Sequence, residues 1–226
     1  MLALIYDVHG NLPALEAVLA DAEEAGAKRY LLGGDYALFG AWPRETVERL
    51  KELDADWIRG NGERWAAVPH DAPEQVQAAI GRCRELLGNE LVDELAGLPE
   101  TLARDATLYC HGSPASDVKS FFPEPTDEER ELLRGVEATR LVFGHTHLAF
   151  RRQAGGIELV NPGSVGMPFD GDRRAAYGLV GEGAEVELRR VAYDHTASGA
   201  AVRRVLGGDA GEVVARRIEQ ARFDPV

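Results

Sequence analysis

The sequence predicts an α/β fold in which two β-sheets pack together with helices outside them. Three observations lead there. Apolar strand patterns alternate with amphipathic helical ones through the first half, the second half is rich in strand patterns with little helix between them, and no linker divides the chain. A length of 226 residues suits one domain, residues 1–226, with a full hydrophobic core.

Leu2-Ala3-Leu4-Ile5-Tyr6 is a continuous apolar run, which reads as a buried strand, and it ends in the polar loop Asp7-Val8-His9-Gly10-Asn11. A helix follows, with Pro13 in its first turn, Leu15, Val18 and Leu19 on one face, and Gly26 at its close. Tyr30-Leu31-Leu32 is a second strand, ending in Gly33-Gly34-Asp35. A helix over 43–53 turns Val47 and Leu50 inward. Asp56-Trp57-Ile58-Arg59 is a third strand, ending in Gly60-Asn61-Gly62-Glu63. Residues 65–102 read as mostly helical, with helices at 73–87 and 90–95. Strands at 107–110 and 140–143 end at His111-Gly112 and at Gly144-His145-Thr146-His147. Strands are also predicted at 149–153, 156–160, 176–180 and 185–192, and short helices at 198–206 and 211–221. These last helices are expected to cover the second sheet, a homo-oligomer surface being their other use.

The net charge of −13 and a pI near 4.9 exclude a protein that binds nucleic acid or anionic membrane over a broad surface. A phosphate-bearing substrate must then be drawn in locally, and bound cations do that. The only cysteines, Cys83 and Cys110, form no spaced framework, which fits a reducing compartment. No run is long and apolar enough for a signal segment or a membrane span, so a cytoplasmic protein is expected.

The residues that carry chemistry all follow strands. Asp7 and His9, Asp35, Asn61, His111, and His145 and His147 stand at the carboxyl ends of five of them, where α/β folds form their ligand crevices. Seven nitrogen and oxygen donors exceed the needs of one tetrahedral ion and suit two ions sharing a carboxylate. Mixed imidazole and carboxylate donors favour Mn, Fe, Zn, Co or Ni over Ca or Mg, with manganese the first expectation. In Asp7-x-His9 and His145-x-His147 a spacing of two places both side chains on one side of an extended segment. The neighbouring glycines allow tight turns and close backbone approach.

The motifs DVHGN, GGD, GNGE, CHG and GHTH, in that order, resemble the calcineurin-like metallophosphoesterases. HGSP and NPGSVG add a resemblance to their small bacterial predicted-phosphodiesterase branch. The resemblance runs nearly end to end and implies a four-layer α/β/β/α sandwich. It implies that Asp7, His9, Asp35 and His147 hold one ion and Asp35, Asn61, His111 and His145 the second, with Asp35 bridging. Asp35, Asn61 and His145 are the catalytic candidates, and a hydroxide held between the ions is the implied nucleophile. The implied activity is hydrolysis of phosphodiesters, nucleotides among them. Phosphomonoesters or phosphoproteins are the rival substrates, and a scaffold without catalysis is the rival of another class.

Two departures from the family pattern matter. Gly62 stands where the family carries a His assigned to the leaving group, and Phe169 stands where relatives often carry Arg. Asn11, Arg64 and Arg173 are the expected substrate contacts, with Glu63 and His70 as further candidates. Blander readings go with several neighbours: Glu63 braces its turn, Cys110 points away from the site as an inert thiol, Ser164 serves turn chemistry, and His70 and His195 are surface or core residues. Trp65 is either pocket wall or core.

Overall fold

The computed structural model describes residues 1–181 and 183–223. Strands β1 (Leu2–Ile5), β2 (Arg29–Leu32) and β3 (Ala55–Trp57) run parallel, separated by helices α1 (Leu12–Glu24) and α2 (Pro43–Lys51). Two later strands, β9 (Ala175–Val180) and β10 (Val186–Val191), join antiparallel to give the order β10-β9-β1-β2-β3. The second sheet has the order β4-β5-β6-β8-β7. It comprises β4 (Thr101–Arg104), β5 (Thr107–Cys110), β6 (Arg140–Val142), β7 (Phe150–Ala154) and β8 (Ile157–Asn161), of which β5, β6 and β8 are parallel.

Strand β1 explains why its sequence is apolar without alternation. Ala3 and Ile5 face the helices, while Leu4 and Tyr6 face the second sheet, so both faces are buried. Leu4, Tyr6, Leu31 and Ile58 of the first sheet meet Tyr109, Val142 and Val160 of the second in the core between them. Outside the first sheet lies a thick layer of α1, α2, α4 (Glu74–Leu87) and α5 (Asn89–Ala96), fastened by Val18, Val47, Ile80 and Val92. The layer outside the second sheet is thin. Cys110, Phe143 and Phe150 are covered there by Phe121 and by Leu132 of the four-residue helix α6 (Glu129–Leu132). The layer order is therefore α/β/β/α.

Several elements differ from the sequence expectation. Helix α3 (Asn61–Ala67) begins at Asn61, where a loop is expected. Its start is fixed by Glu63, three residues past Gly60, which accepts the Gly60 N–H at 2.8 Å. Strand β4 overlaps the end of the stretch read as mostly helical. It is a half-exposed edge strand without an apolar run, closed onto β5 through Asp105 at φ 52°. Helices α7 (His195–Leu206) and α8 (Gly208–Gln220) do not cover the second sheet. Val202, Val214 and Ile218 pack on Ala41 and Met167, beside the loops at the end of the first sheet. Among the described residues no helix is long and apolar enough to cross a membrane.

Candidate metal centre

The carboxyl ends of β1, β2, β3, β5 and β6 open at one end of the two-sheet core, and their loops hold one another. The His9 N–H donates to the Asp35 carbonyl (2.9 Å), the Asp7 N–H to Gly34 (3.1 Å), and the Gly144 N–H to His111 (2.7 Å). All seven sequence-predicted donors meet there. Asp7, His9, Asp35, Asn61, His111 and His147 are buried, and His145 nearly so. Two overlapping groups have ligand-type atoms within 4.8 Å of one another: Asp7, His9 and His147, and Asp7, Asp35 and His111.

Three imidazoles are oriented alike. His9 donates Nδ1–H to the Leu38 carbonyl (3.0 Å), His111 to Gly33 (2.9 Å) and His147 to Met167 (2.6 Å). A carbonyl only accepts, so each ring donates from Nδ1 and, in its neutral form, turns Nε2 inward as a bare lone pair; burial opposes a charge on His111 while the Asp35 and Asp7 carboxylates raise its pKa. The Nε2 atoms of His9 and His147 face each other at 3.0 Å with no proton left to share. Asp7 Oδ1 is buried without a hydrogen-bond partner, 3.5 Å from the His147 Nε2, 3.8 Å from that of His111 and 3.9 Å from that of His9. Converging lone pairs around an orphaned carboxylate oxygen repel one another and are satisfied together by a cation. The donor set therefore fits divalent metal.

Asp35 divides its oxygens. Oδ2 lies 3.9 Å from the His9 Nε2, and Oδ1 lies 3.4 Å from the His111 Nε2 while accepting the Gly62 N–H at 2.7 Å. Asp7 belongs to both groups, whereas Asp35 belongs to the second and reaches toward His9 of the first with Oδ2. The Asn61 amide lies 3.0 Å from His111 Nε2 and 2.8 Å from His145 Nδ1.

The titration behaviour reflects this crowding. Burial pushes Asp35 up to about 7, and the Glu63 and Asp7 carboxylates add to it against the opposing His111. Burial would raise Asp7 too, but His147, His111 and His9 together hold it well below the usual range. Two carboxylates in one dry site split in this way because they resist ionising together. Burial, then His147, lowers His9 to about 3; burial, then His111, lowers His145 to about 4. Both rings stay unprotonated near neutral pH, the form that binds metal.

With this geometry stands a family match. The model of the calcineurin-like phosphoesterase superfamily domain matches residues 1–182. The chain belongs to that superfamily. It is 29% identical over 221 residues to an uncharacterised protein of Methanocaldococcus jannaschii, covering 86% of this chain and 88% of that one. It is also 29% identical over 191 residues to phosphodiesterase YfcE of Escherichia coli K12, covering 77% and 83%. The crystal structure of a metallophosphoesterase from Sphaerobacter thermophilus superposes with a TM-score of 0.84 at 25% identity, covering 97% and 98%. The superfamily hydrolyses phosphoric esters with divalent metals, and this chain presents residue groups able to hold them.

The local backbone of this phosphoesterase departs from the sequence reading. Asp7, His9, Asp35, His145 and His147 are themselves left-handed, with φ of 54°, 50°, 57°, 66° and 58°. Their segments are coiled rather than extended, and both members of each pair face inward through that coiling. Such conformations cost roughly 1–3 kcal/mol each and persist only where surroundings impose them. Glu63 imposes one of them: its carboxylate accepts the N–H groups of Asp35 (2.9 Å), Tyr36 (2.8 Å) and Gly60. Bracing, the expected role, is what Glu63 does. Ser164 likewise serves a turn, donating to the Asp7 carbonyl (2.7 Å) and accepting from the Met167 N–H (2.8 Å). Cys110 is buried among apolar side chains on the outer side of the second sheet.

The expected substrate contacts lie elsewhere. Asn11 is buried, with its amide donating to Gly166 and Tyr193 and accepting from Ser198, so it pins α7 to the site loops. Arg64 is held by both oxygens of Asp117 (2.7 and 2.9 Å), with Asp71 beside it. Arg173 is exposed on the loop before β9, and none of the three lines the cleft above the centre. His70 is on the surface, and His195 opens α7. The cleft is lined instead by residues the sequence reading did not assign, Lys119, Phe122, Arg222 and Phe223 among them, and by Phe169, whose ring stacks on His147 at 4.4 Å and 15°. Trp65 does both things considered for it: it lines the cleft and packs on the helical core.

Proposed function

We propose that this protein hydrolyses phosphodiesters with two divalent ions held in the seam between its sheets. The observation that carries the reading is the set of inward Nε2 lone pairs of His9, His111 and His147 around the orphaned Asp7 Oδ1. His9 and His147 with Asp7 and Asp35 would hold one ion, and His111, His145 and Asn61 with a shared carboxylate the other. Bound there, divalent ions would supply Lewis-acid activation of water and neutralise charge on the phosphoryl oxygens. The chain's own part is to fix the donors before substrate arrives, through the three carbonyls that hold the rings and through Glu63.

The leaving group decides between substrates. Gly62 carries no acid, and its N–H is committed to Asp35 Oδ1. A Cβ at that position would stand 2.9 Å from the same oxygen, so a His there requires this carboxylate to shift. Esters whose leaving oxygen needs no proton are then favoured, since a positioned general acid is worth roughly 10²–10⁴-fold. The test is hydrolysis of bis-p-nitrophenyl phosphate against p-nitrophenyl phosphate after metal stripping and Mn²⁺ return, with Asp35→Asn as control. Metal-dependent diester cleavage lost in the variant is the expected result. A preference for the monoester would move the protein to the phosphatases, metal binding without turnover of either would point to a narrow substrate, and neither metal nor turnover would leave a scaffold.

A further inference from the structure

The metal-type donors occupy one end of a cleft of about 1160 Å³, far more than a phosphoryl group fills. The rest of its lining is unlike the donor end. Among the described residues the exposed large apolar side chains are Met1, Val118, Phe122 and Phe223, and the last three line this one cleft at 43, 45 and 59% exposure. Apolar surface gathered at one mouth, when the rest of the surface has shed it, marks a place where something apolar sits. The three come from two unrelated segments, the loop after β5 and the chain just past α8, so no single local pattern accounts for them.

Their geometry says what kind of apolar group. Phe223 stands edge-on to Phe169 at 5.3 Å, and the Arg217 guanidinium lies over its ring at 4.3 Å. The Ala221 carbonyl accepts the Gly171 N–H (2.9 Å), tying the end of α8 to the loop that carries Phe169. The mouth therefore offers the exposed ring of Phe122 and that of Phe223, one side of which Arg217 covers, with Arg222 and Lys119 among its lining beside Asp170 and Glu128, the last 3.6 Å from Lys119. Ring faces beside cations select planar aromatic groups that carry negative charge. A saturated lipid chain gains nothing from ring planes, and the acidic surface repels the membranes in which such chains reside.

We infer that the mouth is a stacking subsite, and that the substrate is a phosphate ester whose non-reacting substituent is a planar aromatic ring laid against Phe122 or Phe223. A nucleobase is the common biological form of such a ring. The inference rests on the phosphoesterase reading for what the donor end binds.

Phosphonates test it without turnover, because their C–P bond is not a substrate for ester hydrolysis. The Mn²⁺-loaded protein is titrated calorimetrically with methyl-, cyclohexyl- and phenylphosphonate. Phenylphosphonate is expected to bind about tenfold more tightly than the methyl compound and clearly more tightly than the cyclohexyl one. In Phe122→Leu and Phe223→Leu, which keep apolar area and remove the ring plane, the phenyl-over-methyl ratio moves toward one in at least one variant. Equal binding of phenyl and cyclohexyl, an unchanged ratio in both variants, or no binding of any phosphonate overturns the subsite. Both side chains are exposed, so the variants are expected to fold, and circular dichroism checks it. Hydrolysis of bis-p-nitrophenyl phosphate without phenyl selectivity defeats this inference alone; phenyl selectivity without hydrolysis defeats the functional reading alone.

Discussion

His9, His111 and His147 each give one ring nitrogen to a backbone carbonyl and turn the other to a common centre, whereas Phe122 and Phe223, some of the most exposed apolar side chains described, stand at the rim of the same cleft. The donors are fixed from several sides at once, by loops that hydrogen-bond one another and by buried carboxylates. The rim is built from the loop after β5 and the chain just past α8. The contrast separates what chemistry needs from what selection among substrates needs. Charge must be held at fixed distances before substrate arrives, while a wall that recognises a ring needs only area and a face.

Four substitutions break or sharpen that contrast. Asp7→Asn should have the largest effect. It replaces the orphaned carboxylate shared by both donor groups, and Mn²⁺-dependent hydrolysis should fall by at least about 10²–10³-fold with weaker Mn²⁺ binding by titration. Activity near wild type would mean that Asp7 is no ligand. Glu63→Gln comes next. It touches no inward lone pair, yet it turns an amide N–H₂ toward backbone N–H groups of Asp35, Tyr36 or Gly60. Metal affinity should drop about 10–100-fold, with a loss of about 2 kcal/mol in stability, read as a melting temperature lower by about 4–8 °C.

Gly62→His sharpens the point, because restoring the family residue should lower activity. Its Cβ would crowd Asp35 Oδ1, and its side chain would displace the carboxylate. A decrease of about tenfold in kcat/KM would equal roughly 1.4 kcal/mol of lost transition-state stabilisation; a gain would show that Asp35 yields and that the missing acid limits the enzyme. Arg64→Ala should do least. Its guanidinium is engaged by Asp117 away from the cleft, so kcat/KM should change by less than about threefold, with stability lower by about 1 kcal/mol. A tenfold rise in KM would return Arg64 to the substrate.

The donor set was legible because its types recur at strand ends, and strand ends are readable from apolar runs such as 2–6 and 140–143. The role of Glu63 was legible as well, since a carboxylate three residues into a helix start has few other uses. The substrate contacts were not. Arg64 and Asn11 lie beside site residues in sequence, but partners distant in the chain, Asp117 and Ser198, claim them. The cleft wall drew on Phe122 in a long loop and on Phe223 past the last helix, positions whose proximity only the tertiary fold creates. The β4 edge strand escaped because half-exposed strands lack the apolar run that marks buried ones. Helix α3 was recoverable, since Glu63 stands at the capping position of Gly60.

The left-handed backbone at Asp7, His9, Asp35, His145 and His147 has a consequence for reading loss-of-function data. An alanine scan across these five positions would confound two losses. Alanine removes the donor atom, and it also resists the left-handed region by about 1–2 kcal/mol, which would slacken loops carrying the other donors. Every one of the five would then score as indispensable, whatever its share in the chemistry. Asparagine tolerates that region, so an asparagine scan removes the carboxylate charge or the inward imidazole nitrogen while sparing the backbone.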